Sequence, residues 1–216
     1  MAIMSWLAID TTGEHCTAAL RLPDGRDHVR SDRIGRGHAE YLAPLVEALL
    51  ADTSTPATEL SRIGVTIGPG SFAGTRVGVA FARGLALACG AECVGISNLS
   101  VLARQAGPDG PLAVLHDARR GEVILQVWQD GAGGATERVG LAELADRIAE
   151  RGGPMCKVTG SGAALLPPGF TDLGIAVIDP RVVLAMTGEL DPKANPPTPF
   201  YARPPDAKLP GGVAPA

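Results

Sequence analysis

Short apolar runs, each closed by a turn, open the chain, and stretches with helical spacing follow. Trp6 to Asp10, Cys16 to Leu22 and His28 to Arg33 read as three β-strands, with Pro23-Asp24-Gly25 as the second hairpin turn. Leu42, Leu45, Val46 and Leu49 form one apolar stripe and predict a helix from His38 to Ala51. A strand at Ile63 to Ile67, a helix of small residues at Thr75 to Cys89, a strand at Cys93 to Ile96 and a helix from Asn98 complete a first unit. The order restarts at Leu112. Strands at Leu112 to His116 and Glu122 to Trp128 flank the turn from Asp117 to Gly121, a weak third strand lies near Val139, and a helix runs from Leu141 to Arg151. Lys157 to Thr159, a short helix after Gly162, a strand at Gly174 to Ile178 and a last helix from Arg181 follow.

Three antiparallel strands followed by alternating helices and strands describe a ribonuclease-H-like unit. Two in tandem describe the α/β architecture of actin and the sugar kinases. The expected division is a first lobe over residues 1–108, a second over 109–190, and a Pro-rich tail over 191–216 that packs in part and is then disordered.

The small-residue helix narrows the functional reading. Gly74, Gly78, Ala82 and Ala86 recur every fourth residue, so they share a face that another backbone could approach closely. Val77, Phe81 and Leu85 line an adjoining face, and Arg76 and Arg83 are the helix's charges. Such a helix is expected to be covered twice, by its own sheet and by another protein. At about fifteen residues it falls short of the roughly twenty that a bilayer crossing needs. The loop before it, Gly68 to Ala73, loosely matches a dinucleotide fingerprint, yet the following strand ends in Ser97-Asn98, without the acid that would hold a ribose. A triphosphatase loop needs a lysine beside its Ser or Thr, and the first lysine in the chain is Lys157. Gly68 and Gly70 are therefore read as a sharp strand-to-helix turn, with Ser71 or Thr75 as the helix cap.

Composition adds exclusions. The 216 residues are 45% hydrophobic and carry a net charge of −4, with no Lys/Arg cluster of the kind that marks a nucleic-acid footprint. The N-terminal apolar run lacks a basic flank and stops at Asp10, so no secretory leader is read and a cytoplasmic protein is expected. Cys16, Cys89, Cys93 and Cys156 lack zinc-type spacing and are expected as reduced, buried thiols.

In a tandem fold of this kind nucleotide lies between the lobes. Asp10 ends the first strand of one lobe and Asp117 stands at the corresponding place in the other, so both carboxylates could face one cleft, with Gly160 and Ser161 near an adenosine. Equally, each Asp could simply end its strand and accept turn N–H bonds. Asp10 is followed by Thr11 and Thr12 and not by the glycine that would admit a phosphate, which describes a vestigial cleft.

Five segments carry a resemblance. Ile9 to Thr12, His38 to Leu42, Gly68 to Gly78, Asp117 to Val123 and the tail from Tyr201 to Lys208 together are similar to the bacterial TsaB family, also called YeaZ. The resemblance implies an actin-like two-lobe fold and a place in the machinery that makes N6-threonylcarbamoyladenosine in tRNA. It also implies that the chain is not the catalyst: a related subunit, TsaD, carries the transfer and binds metal through a His-x-x-x-His pair, and TsaE is an ATPase that joins the complex. Here His38 is followed one turn later by Leu42, so the second imidazole is missing and neither a metal site nor a peptidase is expected.

The resulting expectation is a scaffold-like subunit with no catalytic residues of its own. Its docking face comprises His38, Glu40, Tyr41, Leu42 and Leu45 on one helix and Arg76, Val77, Gly78, Phe81 and Ala82 on the other. The expected partners are a TsaD-like catalytic subunit, a TsaE-like ATPase, tRNA through the complex, and a second copy when the chain is alone. ATP or ADP with Mg is expected at the complex interface if anywhere. The alternative is a stand-alone ATPase or kinase that uses Asp10 and Asp117.

Overall fold

The computed structural model describes residues 4–107 and 109–201. The part of the expected tail beyond Tyr201 lies outside the described residues. Among the described residues ten strands and five α-helices form two sheets and their covering layers: β1 (Ser5–Asp10), β2 (His15–Arg21), β3 (Asp27–Arg33), α1 (His38–Asp52), β4 (Leu60–Thr66), α2 (Phe72–Cys89), β5 (Glu92–Ile96) and α3 (Asn98–Ala106), then β6 (Leu112–Arg119), β7 (Glu122–Gln129), β8 (Ala132–Gly133), β9 (Glu137–Gly140), α4 (Leu141–Gly152), β10 (Lys157–Thr159) and α5 (Pro180–Glu189).

The first sheet has the order β3-β2-β1-β4-β5. The first three strands pair antiparallel and the last two join β1 in parallel, as an all-hairpin start followed by helical crossovers demands. The second sheet runs β10-β6-β7-β8, with β9 also on β7. Both units therefore begin alike, and the second is the abbreviated one.

The expected strand at Gly174 to Ile178 does not form. The Thr159 hydroxyl donates to the Ile175 carbonyl (2.8 Å) and accepts from the Ile175 amide (3.2 Å), so a side chain takes the place of a ladder there. The last helix also departs from the expected lobe division. Val183, Leu184 and Met186 of α5 pack with Ala8, Ala19, Val94 and Ile96 on the open face of the first sheet. The approach is so close that a Cβ on Gly64 would overlap Thr187. Arg62 fastens the helix end: its Nη1 donates to the carbonyls of Thr187, Gly188 and Leu190, the orphan acceptors of a helix C-terminus. Thus α1 and α2 cover one face of the first sheet, α5 covers the other, and the segment up to Phe200 runs along β4 and β5, where Gly95 N donates to Asn195 O and Phe200 N to Ile67 O.

α2 is longer than expected. Its 18 residues would pass for a bilayer span by length and mean hydropathy. In the fold, however, Gly74, Thr75, Gly78, Val79, Ala82 and Ala86 are buried against the chain itself.

Candidate functional site

The outer face of α1 and α2 is the first surface of interest, and the orientation of α2 decides it. Ser71 caps the helix by accepting from the Gly74 amide at 3.2 Å, and Thr11 Oγ1 donates to the Gly74 carbonyl at 2.7 Å. A Cβ on Gly74 or Gly78 would run into Thr11. The row Gly74, Gly78, Ala82, Ala86 is therefore the close-contact face toward β1 and β4, and the expectation that Gly78 and Ala82 meet a partner is corrected. Leu42 and Leu45 are likewise core residues. His38 is buried and its Nε2 lies 3.2 Å from the His15 carbonyl, while the N-cap of α1 is Gly37. Of the ten expected docking residues, Glu40, Tyr41 and Arg76 are exposed and Val77 and Phe81 half-buried.

The face that looks outward holds a second row that the sequence reading missed: Ala73, Ala80, Gly84, Leu87 and Ala88, all exposed. Leu87 is 86% exposed, far beyond what a lone helix buried in its own lobe would leave. Beside this row a shallow groove of about 450 Å³ runs between the helices over Ala43, Val46, Leu50, Phe81 and Leu85. The spacing of Ala73, Ala80, Gly84 and Ala88 was present in the sequence. What it lacked was any sign of which of two small-residue rows met the sheet.

The second surface is the cleft between the sheets, about 1260 Å³, to which Asp10, Thr12, Ser71 and Asn98 contribute from one side and His116, Asp117 and Ser161 from the other. Both carboxylates do face it, and both are also held by local donors. Asp10 Oδ1 accepts from Thr12 N (3.0 Å), Thr12 Oγ1 (2.6 Å) and Thr66 Oγ1 (2.6 Å), and Asn98 Nδ2 donates to Thr12 Oγ1 at 2.6 Å. Asp117 accepts from Arg119 N at 2.8 Å and pairs with its guanidinium at 2.9 Å. Ser161 Oγ accepts from Asp117 N at 3.0 Å and lies 3.4 Å from His116 Nδ1. Gly160 instead sits behind this wall, buried and with its amide on the Ile175 carbonyl. Burial pushes the His116 imidazole below its ordinary pKa, Asp117 opposing and Arg119 adding to the effect.

Oδ1 of Asp10 offers no open position to a magnesium ion. It already accepts three hydrogen bonds, and the turn after β1 is packed on the α2 start, with Ser71 N donating to Thr12 O at 2.7 Å. Nor, among the described residues, are three His, Cys, Asp or Glu side chains grouped to hold a metal.

Two ribonuclease-H-like sheets around a cleft whose acids are tied to neighbouring donors define an α/β protein of the actin-like class. The family model for TsaD, tRNA N6-adenosine threonylcarbamoyltransferase, matches residues 32–152. The chain belongs to the TsaB family: it is 32% identical over 201 residues to the tRNA threonylcarbamoyladenosine biosynthesis protein TsaB of Escherichia coli K12, spanning 88% of this chain and 86% of that one. An uncharacterized protein of Mycobacterium tuberculosis H37Rv is 32% identical over 212 residues, 95% of each chain. Among solved structures, YeaZ from Pseudomonas aeruginosa superposes with a TM-score of 0.73 at 24% identity, covering 92% of this chain and 99% of that one. A structure described as an uncharacterized protein with similarity to peptidase YeaZ, from the same organism, gives 0.76 at 25% identity, with 93% and 100% covered. The curated TsaB relatives are named as biosynthesis proteins, not as enzymes.

Proposed function

We propose that this chain is the non-catalytic docking subunit of a tRNA N6-threonylcarbamoyladenosine transferase complex, acting in the cytoplasm, and that it seats a TsaD-like catalytic subunit on the outer face of α1 and α2. One observation carries the reading: α2 turns a row of small and apolar residues, Ala73, Ala80, Gly84, Leu87 and Ala88, away from its own lobe. Small side chains let a second helix come close, and Leu87 supplies an apolar anchor that water solvates poorly. A helix pair docked there would bury an area of about 1,200 to 2,000 Å², the size of an ordinary specific interface. In the partner's absence the same face would pair with a second copy. A TsaE-like ATPase and tRNA join through the catalytic subunit, and any nucleotide with its magnesium belongs to the composite interface rather than to this chain's cleft.

The competing reading, a stand-alone ATPase or kinase, draws on Asp10 and Asp117 sharing one cleft. Against it, the Thr12 and Thr66 hydroxyls already donate to Oδ1 of Asp10, and Arg119 pairs with Asp117. Reconstitution separates the two. The chain mixed with a TsaD-like subunit and the other components should restore modified adenosine in tRNA, whereas omission of either should abolish it. Full modification without this chain would refute the docking role.

A further inference from the structure

Arg76 and Arg83 lie seven residues apart on the exposed side of α2, are its only charges, and form no ion pair among the described residues. Arg76 is nonetheless held. Its guanidinium carbon stands 3.8 Å from the centre of the Phe72 ring and 5.3 Å from that of Tyr201, and its Nε donates to the Tyr201 hydroxyl at 2.8 Å. The two rings are 5.2 Å apart, and both remain open to solvent, Phe72 by 47% and Tyr201 by 36%. Phe72 comes from one helical turn earlier, and Tyr201 from the segment that returns along β4. The clasp therefore joins the first turn of α2 to the end of the described chain.

Arginine presents five N–H donors in a planar fork. Here Nε is spent on Tyr201, and the four donors on Nη1 and Nη2 have no acceptor among the described residues. A flexible side chain has thus been ordered in advance with its bidentate end unused, and an ordered fork forfeits little conformational entropy when it binds. We propose that Arg76, clamped by Phe72 and Tyr201, is a preformed receptor for a carboxylate of the catalytic partner and extends the docking face from the small-residue row to the mouth of the cleft. This rests on the docking role argued above.

The surroundings favour a protein carboxylate over RNA phosphate. Asp10, Glu14 and Asp117 line the adjoining cleft, the chain carries a net charge of −4, and Arg119 on the far wall pairs with Asp117. A polyanion gains by meeting several cations at once, and one guanidinium among carboxylates offers it little. A single Asp or Glu meets the fork in two parallel hydrogen bonds and continues the contact already made along α2, where Arg83 repeats the demand for an acidic partner surface.

The test uses the full chain and the TsaD-like subunit of the same organism, with affinity measured at low and high salt. Arg76→Lys keeps the charge and removes the fork; it should weaken binding about tenfold or more. Tyr201→Phe keeps the ring, releases Nε, and should weaken binding several-fold, with a smaller salt dependence left in Arg76→Ala than in the parent. Thermal unfolding of Tyr201→Phe should match the parent, which keeps the test valid even if Arg76→Lys melts early. Leu87→Asp serves as the comparison. If it abolishes binding while Arg76→Lys and Tyr201→Phe bind as the parent does, the receptor is refuted and the docking role stands. If all three bind normally, the docking role falls as well. If Arg76→Lys spares the partner but loses an anticodon stem-loop RNA, phosphate is the occupant and the proposal is overturned.

Discussion

The Thr11 hydroxyl donates a 2.7 Å hydrogen bond to the Gly74 carbonyl, which ties the turn after β1 to the first turn of α2. The bond forms only because Gly74 and Gly78 present no side chain there; a Cβ on either would meet Thr11. One contact thus sets which side of α2 faces the sheet, and with it which side is left for a partner.

Gly78→Leu is accordingly expected to act on stability before it acts on docking. A branched side chain inserted between Thr11 and Val65 overpacks the site and should cost on the order of 1 to 3 kcal/mol. For a chain of this size that lowers the melting temperature by about 2 to 4 °C per kcal/mol, measurable by calorimetry or circular dichroism. Below the transition the variant should still bind the catalytic subunit. An unchanged melting temperature with binding lost would instead put this row on the outside.

For the isolated chain, ATP turnover at background level is expected, and Asp10→Asn should leave that background unchanged. The reason lies in the donors that surround the carboxylate: Thr12 and Thr66 already donate hydrogen bonds to Oδ1, and Thr12 also accepts from Asn98. What Asp10→Ala should do is destabilise by about 1 to 3 kcal/mol, because it strands the buried Thr12 hydroxyl and leaves that of Thr66 only the long contact to the Ile9 carbonyl. Steady-state turnover in the usual enzyme range of roughly 1 to 1,000 per second, lost in Asp10→Asn, would restore the kinase-like reading.

The repeated element order was legible because each lobe opens with short apolar runs bounded by turns and then shifts to a helical period, as at Leu42, Leu45, Val46 and Leu49. The meeting of Asp10 and Asp117 followed from the same order. The facing of α2 was not legible. Gly74, Gly78, Ala82, Ala86 and Ala73, Ala80, Gly84, Ala88 are both rows of small residues, and Thr11, which decides between them, is 63 positions from Gly74. The place of α5 was hidden for a like reason: its closeness to the first sheet depends on Gly64 and Arg62, remote in sequence. The apolar run Gly174 to Ile178 imitates a strand, but Thr159 bonds to Ile175 through its side chain, and no ladder continues.

His116 should make stability depend on pH. Burial, the largest influence, lowers its pKa below the ordinary 6.5, so the folded chain keeps the imidazole neutral where the unfolded chain already protonates it. The unfolded state then binds more protons, stability rises with pH through the window below 6.5, and the contribution is level above it. Acidification from about pH 7.5 to about pH 5.5 should lower the melting temperature more in the parent than in His116→Gln. Identical slopes would mean that the imidazole is solvated in solution.

Binding of tRNA by the chain alone should be weak, with a dissociation constant no tighter than the roughly micromolar edge of non-specific association at physiological salt. Several of its cations are already committed: Arg30 to Asp52, Arg33 to Glu14, Arg62 to Glu92 and Arg104 to Glu189, against a net charge of −4. A phosphate backbone gains affinity by releasing counterions to a row of unpaired cations, and paired arginines must first be freed from their carboxylates. Fluorescence anisotropy with labelled tRNA is the measurement. Addition of the catalytic subunit should tighten binding and steepen its salt dependence, since the partner then supplies the phosphate contacts. Sub-micromolar affinity without a partner, abolished by Arg76→Ala, would show that α2 faces RNA and that the docking face must be sought elsewhere.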